Sequence, residues 1–232
     1  MNEIIFLVGL TAVGKTSSVN ALTQNSYKLL PNRRALTDMI IIPKVQKESG
    51  LAKEPVTDRT KRFEITAKYR QSHPAGIVSA LKDYLKNQEN GNYIFDNIRG
   101  KNELEAAVGN FNNSRFVFLD APYKVRLQRL IKRNDDFDFV TNTAAENDLL
   151  RNLENIEKAN ELFDLEHLAT LGHERESLIS AVRIIAAEYK NYNSETAKEF
   201  LFSLDKQKYV YIDTSKNNID QVSIIIERFL HG

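Results

Sequence analysis

An α/β fold of three layers around a parallel sheet is predicted by three features of this 232-residue sequence. Ile4 to Val8 is a continuous β-branched and aromatic run, followed at once by a glycine-rich loop and a helical pattern. Further strand-like runs alternate with helical ones. A last strand and helix close the chain, the pattern of βαβ units on a shared sheet.

The elements follow in order. Ile4, Ile5, Phe6, Leu7 and Val8 read as a central strand buried on both faces. A short helix from about Lys15 is closed by polar Thr23 to Ser26, and Tyr27 to Leu30 reads as a second strand stopped by Pro31 and Asn32. From Arg33 to Arg70 the pattern is mixed and rich in cations, with Pro43 and Pro55 as breaks, so residues 31–76 are expected as short helices and loops on the substrate side.

Ile77, Leu81, Tyr84 and Leu85 recur at helical spacing, Gly91 punctuates, and Tyr93 to Phe95 forms a third strand ending at Asp96. Phe116 to Leu119 repeats the pattern and ends at Asp120. Helical patterns fill residues 142–207, notably Leu178, Val182, Ile185 and Tyr189, with Gly172 and the Asn191 to Ser194 cluster as breaks. That stretch is expected as an all-helical insertion in the C-terminal half, its apolar stripes serving packing or a homodimer surface. Tyr209 to Ile212 and Ile219 to Leu230 supply the last strand and helix, so the expected parts are 1–141, the insertion 142–207, and 208–232 returning to the core.

Composition narrows the function classes. Hydrophobic residues at 42% and charged residues at 27% permit a sizeable core and argue against a disordered or fibrous chain. With 32 Lys+Arg against 31 Asp+Glu, no global field selects nucleic acid or anionic lipid, so any anion site must be local. No cysteine is present, which excludes disulfides, thiolate zinc sites and cysteine nucleophiles and makes the cytoplasm the default expectation. The run Ile4 to Leu10 is too short to span a bilayer and follows no cationic segment, so it is read as a strand and no membrane association is expected.

Gly9-Leu10-Thr11-Ala12-Val13-Gly14-Lys15-Thr16 matches G-x4-G-K-[ST] between a predicted strand and a predicted helix. Such a loop wraps a polyphosphate: glycines let main-chain N–H groups approach it, and the helix N-terminus adds a positive dipole end. Gly9, Thr11, Ala12, Val13, Gly14, Lys15, Thr16 and Ser17 are therefore the expected phosphate site, with Lys15 supplying mobile positive charge. The Thr16 hydroxyl suits Mg²⁺, and nucleoside triphosphate binding follows.

Asp96 ends a strand where an α/β sheet exposes its ligand edge, so its carboxylate is expected to hold a magnesium-bound water; Asp120 competes, and either can instead cap its following turn. Arg126, Arg129 and Arg133 lie at i, i+3 and i+7 along one helix face, fit to clamp phosphates; the alternative is a solvated face paired with Asp135, Asp136 and Asp138. Arg33, Arg34, Arg59, Arg62 and Arg70, with Asp38 and Asp58, fall where an acceptor would be held, and Asp38 is the candidate to orient it. His73 reads as structural, and His167, His173 and His231 suggest no metal site.

On Gly9 to Thr16, Asp96-Asn97-Ile98-Arg99 and Phe116 to Arg133, the chain resembles P-loop nucleoside and nucleotide kinases, including dephospho-coenzyme-A-kinase-like proteins. Adenylate-kinase-like members end the third strand in Asp-Gly-x-Pro-Arg and archaeal-type relatives in Asp-Gly-Ile-Arg; here Asn97 stands in place of the glycine. Phe118 to Pro122 with the three arginines looks like the fourth strand and lid approach, and Tyr211 to Ser215 like the last strand and adenine-side loop, which implies that Arg133 faces the phosphates. The resemblance covers about half the chain and implies a three-layer P-loop NTPase fold with ATP and Mg²⁺ as cofactors.

The resulting expectation is transfer of the γ-phosphoryl of ATP to a nucleoside, nucleotide or dephospho-CoA-like acceptor. Lys15, Asp38, Asp96 and Arg133 would carry the chemistry, and Arg129 would join the nucleotide site. Arg33, Arg34, Arg59, Arg62 and Arg99 would hold the acceptor, and Thr16 and Asp96 the metal. The rivals are a nucleotide-dependent ATPase switch that recognises a partner through the insertion, and a kinase acting on a nucleic-acid end or modified base, against which the neutral charge argues.

Overall fold

The computed structural model describes residues 3–132, 181, 182, 184–186, 188, 189 and 192–231. Strands β1 (Glu3–Val8), β2 (Lys28–Leu29), β3 (Asn92–Ile98), β4 (Ser114–Asp120) and β5 (Tyr209–Asp213) form one sheet in the order β2-β3-β1-β4-β5. Every neighbouring pair is parallel. β1 is central, and the chain builds first to one side of it and then to the other. The crevice outside its carboxyl end is therefore the switch point at which open α/β sheets bind ligands.

Alternation along β1 makes the three layers. Ile4, Phe6 and Val8 point into one core with Tyr93, Phe95, Phe116 and Phe118, while Ile5 and Leu7 enter the other with Ile94, Val117, Leu119 and Ile212. Phe6 stacks on Phe116 with ring centroids 5.4 Å apart and meets Phe95 edge-on at 6.2 Å, geometries that aromatic pairs favour.

The first layer also takes residues from α3 (Ile42–Glu48), α5 (Ile77–Leu85), α6 (Lys101–Asn110) and α8 (Ser194–Phe202). The second is covered by α1 (Lys15–Gln24) and α9 (Ile219–His231), through Val19, Leu22, Val222 and Ile226. A third, smaller cluster joins α7 (Tyr123–Ile131) to Ala181, Val182 and Ile185.

Several boundaries differ from expectation for identifiable reasons. β3 continues through Asp96 to Ile98, because Phe6 pairs with Phe95 but Val8 pairs with Ile98, leaving an extra residue on β3. Such a bulge re-aims the side chains it carries. Pro43 does not break the chain: it sits in the first turn of α3, where no amide donor is needed, and a π-helical turn (Thr37–Ile41) joins α3 to α2 (Arg33–Leu36).

Asp58 is the N-cap of α4 (Arg59–Ser72), accepting the Lys61 N–H at 2.8 Å, rather than an acceptor-side carboxylate. Of the stretch expected as an insertion, residues 142–180 lie outside the described residues. Its end belongs to the main core: Ala197 and Leu201 of α8 are fully buried with Phe6 and Phe95.

Candidate functional site

The loop between β1 and α1 has backbone geometry that its sequence explains. Gly9 has φ +150°, and a Cβ there would meet the Leu119 carbonyl oxygen at 2.5 Å, so only glycine lets β1 turn this close to β4. Gly14 caps α1 with φ +95°, and Ala12 also takes positive φ, at 64°. The Gly9 N–H donates to the Ile98 carbonyl at 3.0 Å, tying the loop to the bulged end of β3.

Donors hold the loop's carbonyls one after another. Lys15 Nζ donates to the carbonyls of Gly9 and Leu10 at 2.9 and 2.6 Å. Arg126 Nε takes the Thr11 carbonyl at 2.8 Å, Arg129 Nη1 that of Ala12 at 3.1 Å, and the Thr214 hydroxyl that of Val13 at 3.0 Å. A trans peptide plane carries its N–H opposite its C=O, so carbonyls drawn outward turn the next amides inward. The amides of Ala12, Val13 and Gly14, with the first amides of α1 at Lys15 and Thr16, face no acceptor among the described residues. This is a cradle for an anion at a helix N-terminus.

Electrostatics agree. Lys15 is only partly covered as a residue, but its ammonium is enclosed. Burial pushes its pKa down from 10.5 to about 7, aided by Arg99 and Arg126 and opposed by Glu188 and Asp96. Burial also raises the Asp96 carboxyl above its usual range, against the pull of Lys15 and Arg99. A bound polyphosphate would supply the counter-charge that Lys15 lacks.

A cavity of about 1010 Å³ opens from this cradle. Thr11, Ala12, Gly14, Lys15 and Thr16 line one end, and Asp96, Asn97 and Arg99 stand between. The far wall is formed by Arg33, Arg34, Arg62, Tyr69 and Arg70. Tyr69 is fully buried, stacks on His73 with centroids 4.2 Å apart, and keeps a buried hydroxyl with no partner among the described residues.

The expected site residues divide. Thr11, Ala12, Gly14, Lys15, Thr16, Asp96, Arg33, Arg34, Arg62, Arg99 and Arg129 come together around the cavity. Gly9 and Val13 shape the loop without lining it, and Ser17 lies in the first turn of α1 outside the lining. Asp38 is not brought there: it is exposed on the π-helical turn and paired with Arg62 Nη1.

Arg33 lines the cavity, but its Nη2 is committed to Glu103 at 2.7 Å and to the Asn97 carbonyl at 2.8 Å. Burial opposes its charge, yet Glu103 more than offsets this and its pKa lies above the ordinary value. Asp120 serves its turn, accepting the Ala121 N–H at 2.9 Å and the Tyr211 hydroxyl at 2.9 Å. Arg133 and the side chain of Arg59 lie outside the described residues.

The phosphate-clamping helix face is corrected in part. Arg126 is 2% exposed and sits behind the loop, on the Thr11 carbonyl and Glu188. Arg129 lines the cavity but spends its guanidinium on Ala12 and Thr214, reaching the Thr214 carbonyl at 2.7 Å. Glu188 is the part of the site that the motifs do not reveal, and Arg126 and Thr214, expected on the phosphates and in the adenine-side loop, hold loop carbonyls instead; each role depends on contacts across more than 60 residues of chain.

Oxygen donors suited to Mg²⁺ are present. The Thr16 hydroxyl at the start of α1 and the Asp96 carboxylate on the bulge both line the cavity. Among the described residues no group of three or more acidic, His or Cys side chains converges on a metal site. Two protein oxygens plus substrate phosphates suit magnesium, which is seldom caged by protein alone.

The all-parallel sheet, its strand order and the glycine loop between β1 and α1 define the class as a three-layer P-loop α/β fold. No family model matches the chain, and no curated protein matches it. Among solved structures it is similar to a sugar kinase from Janibacter sp., at 13% identity and TM-score 0.48, covering 100% of this chain and 95% of that one. It is also similar to deoxyadenosine kinase from M. mycoides with bound dATP, at 12% identity and TM-score 0.45, covering 99% and 100%. A sulfotransferase domain from the curacin biosynthetic pathway aligns at 14% identity and TM-score 0.44, covering 100% and 74%. Among the described residues no helix is long and apolar enough to cross a membrane.

Proposed function

We propose that this chain is a phosphotransferase that moves the γ-phosphoryl group of ATP to a small-molecule hydroxyl or phosphate acceptor. The observation that carries the reading is the continuity of the cavity from the amide cradle, past Asp96 and Arg99, to a wall bearing Arg34, Arg62 and Arg70. A site built only for hydrolysis needs room for water beside the terminal phosphate. A volume of about 1010 Å³ with cations at the end remote from the loop accommodates a second substrate.

The amides of residues 12–16 and the Lys15 ammonium would hold the triphosphate tail, and Lys15 gains its full charge as it does so. Magnesium, held by Thr16 and Asp96, would draw off charge from the β- and γ-phosphate oxygens. Arg99 is the cation best placed beside Lys15 and Asp96 to meet charge on the transferring group. The exposed arginines of the far wall would seat the acceptor, and enclosure between the two ends would align its attacking oxygen. Nothing in the described cavity fixes the base of the nucleotide, and ATP is proposed as the commonest donor for such loops.

The test is a panel of nucleosides, nucleotides, pantetheine derivatives, sugars and oligonucleotides incubated with ATP and Mg²⁺ and read for phosphorylated product. A phosphorylated small molecule is the expected result. Hydrolysis that no acceptor stimulates would replace this reading with an ATPase switch, and transfer confined to oligonucleotides would replace it with end or base phosphorylation.

A further inference from the structure

Behind the loop lies a buried ionic cluster that neither the motif nor the proposed chemistry requires. Glu188 is 4% exposed, and its two carboxylate oxygens accept the Thr11 N–H at 3.0 and 3.1 Å. It also accepts the Thr11 hydroxyl and is paired with Arg126, whose Nε donates to the Thr11 carbonyl. One buried ion pair therefore satisfies the amide, the carbonyl and the hydroxyl of a single loop residue.

A second cation reaches the same carboxylate. Arg99 Nη1 lies 3.4 Å from Glu188, while Arg99 itself lines the cavity and its buried Nε has no partner among the described residues. The Tyr192 ring lies 5.9 Å from the same guanidinium. Glu188 thus connects the back of the loop to a guanidinium on the cavity side with an open donor.

A buried carboxylate carries a desolvation penalty of several kcal/mol unless partners offset it. Loop packing alone gives no reason for it, since the carbonyls of Ala12 and Val13 are held by Arg129 and Thr214 without any carboxylate. A negative charge so near a cradle for a polyanion also weakens ground-state attraction. An arrangement that gives up attraction while fixing a guanidinium and a loop amide suits orientation for transfer more than tight binding.

We infer that Glu188 is a positioning residue of the phosphoryl-transfer site, fixing Thr11 and Arg99 at the terminal-phosphate end of the cradle. The inference rests on the phosphotransferase reading for its turnover arm but not for its binding arm.

The test is Glu188→Gln, which keeps shape and one acceptor oxygen while removing the charge. Turnover should fall about tenfold or more, while triphosphate affinity relative to diphosphate affinity, by calorimetry, rises several-fold. Turnover within twofold of wild type, or equal loss of triphosphate and diphosphate binding, would overturn it, the latter marking simple collapse of the loop. If wild type binds triphosphate but phosphorylates nothing, the phosphotransferase reading fails on its own. The binding arm then decides: an unchanged triphosphate-to-diphosphate ratio in Glu188→Gln overturns the inference and a raised ratio supports it. Should Glu188→Gln fail to fold, Arg99→Gln on the cavity side must lower turnover (or, without turnover, triphosphate affinity) while sparing diphosphate affinity, and unchanged values would sink the proposal.

Discussion

Lys15 offers the most quantitative handle on the site. Enclosure pushes its pKa from 10.5 to about 7, so without ligand roughly one-tenth of the molecules carry a neutral Lys15 at pH 6, half at pH 7 and nine-tenths at pH 8. A triphosphate tail in the cradle supplies the missing counter-charge, and binding should take up that fraction of a proton. Isothermal titration of a nucleoside triphosphate in EDTA, repeated in buffers of different ionisation enthalpy, reads the uptake directly. At pH 8 the γ-phosphate is already deprotonated and contributes little, so net uptake there should approach nine-tenths of a proton per site. Binding without net proton uptake at pH 8 would refute the enclosed-ammonium argument.

The same depression has a signed consequence for stability. Between about pH 7 and 10.5 the unfolded chain holds the Lys15 proton that the folded chain has lost, so folding stability gains as pH rises through that window. Below pH 7 the penalty is fully present and is on the order of 5 kcal/mol at most. Lys15→Met should therefore be more stable than wild type at pH 7 and show a flatter pH dependence in urea denaturation, while losing nucleotide binding.

Three further outcomes are expected. Gly9→Ala should lose at least about 2 kcal/mol in urea unfolding, because the added carbon meets the Leu119 carbonyl at 2.5 Å and Val13 at 2.8 Å at a φ that L-residues avoid; a loss under about 0.5 kcal/mol would show that the β1–β4 approach is looser than described. Thr214→Val removes the donor to the Val13 carbonyl and a partner of Arg129, so triphosphate affinity should drop several-fold with a stability loss of about 1–2 kcal/mol, both read by calorimetry. Arg33→Ala should lower the melting temperature and leave acceptor KM nearly unchanged, since its guanidinium is held by Glu103 and Asn97, whereas Arg70→Ala, exposed on the cavity wall, should raise acceptor KM about tenfold with stability intact.

The parts of this molecule legible in its sequence are those decided by neighbours in the chain. β1, the glycine loop and the start of α1 follow from an apolar run, two glycines and a lysine within a dozen residues, and the order of strands and helices follows from period alone. Residues whose meaning depends on what they meet across the fold are not legible in the same way. Asp38 and Arg62 were each plausible at an acceptor, but they pair with each other and leave only the arginine on the cavity. Arg33 sits at the expected place and is bound to Glu103, a partner 70 positions away. The apolar run of the third strand ends at Phe95, but the strand continues to Ile98, because the extra residue of a bulge carries no signature in the sequence.

Glu188 shows why an intact motif does not make an intact site. A loop of sequence G-x4-G-K-T presents its amides inward only when something holds its carbonyls outward, and here every holder beyond Lys15 comes from the second half of the chain: Arg126 and Arg129 from α7, Thr214 after β5. α7 and the residues around 182 share a small apolar cluster against which Ala12 packs, so this holder helix is seated by a segment far along the chain. The anion cradle is thus a tertiary construction. Changes in the 181–189 segment should alter triphosphate recognition without touching the motif, because they act through the carbonyl side of the loop.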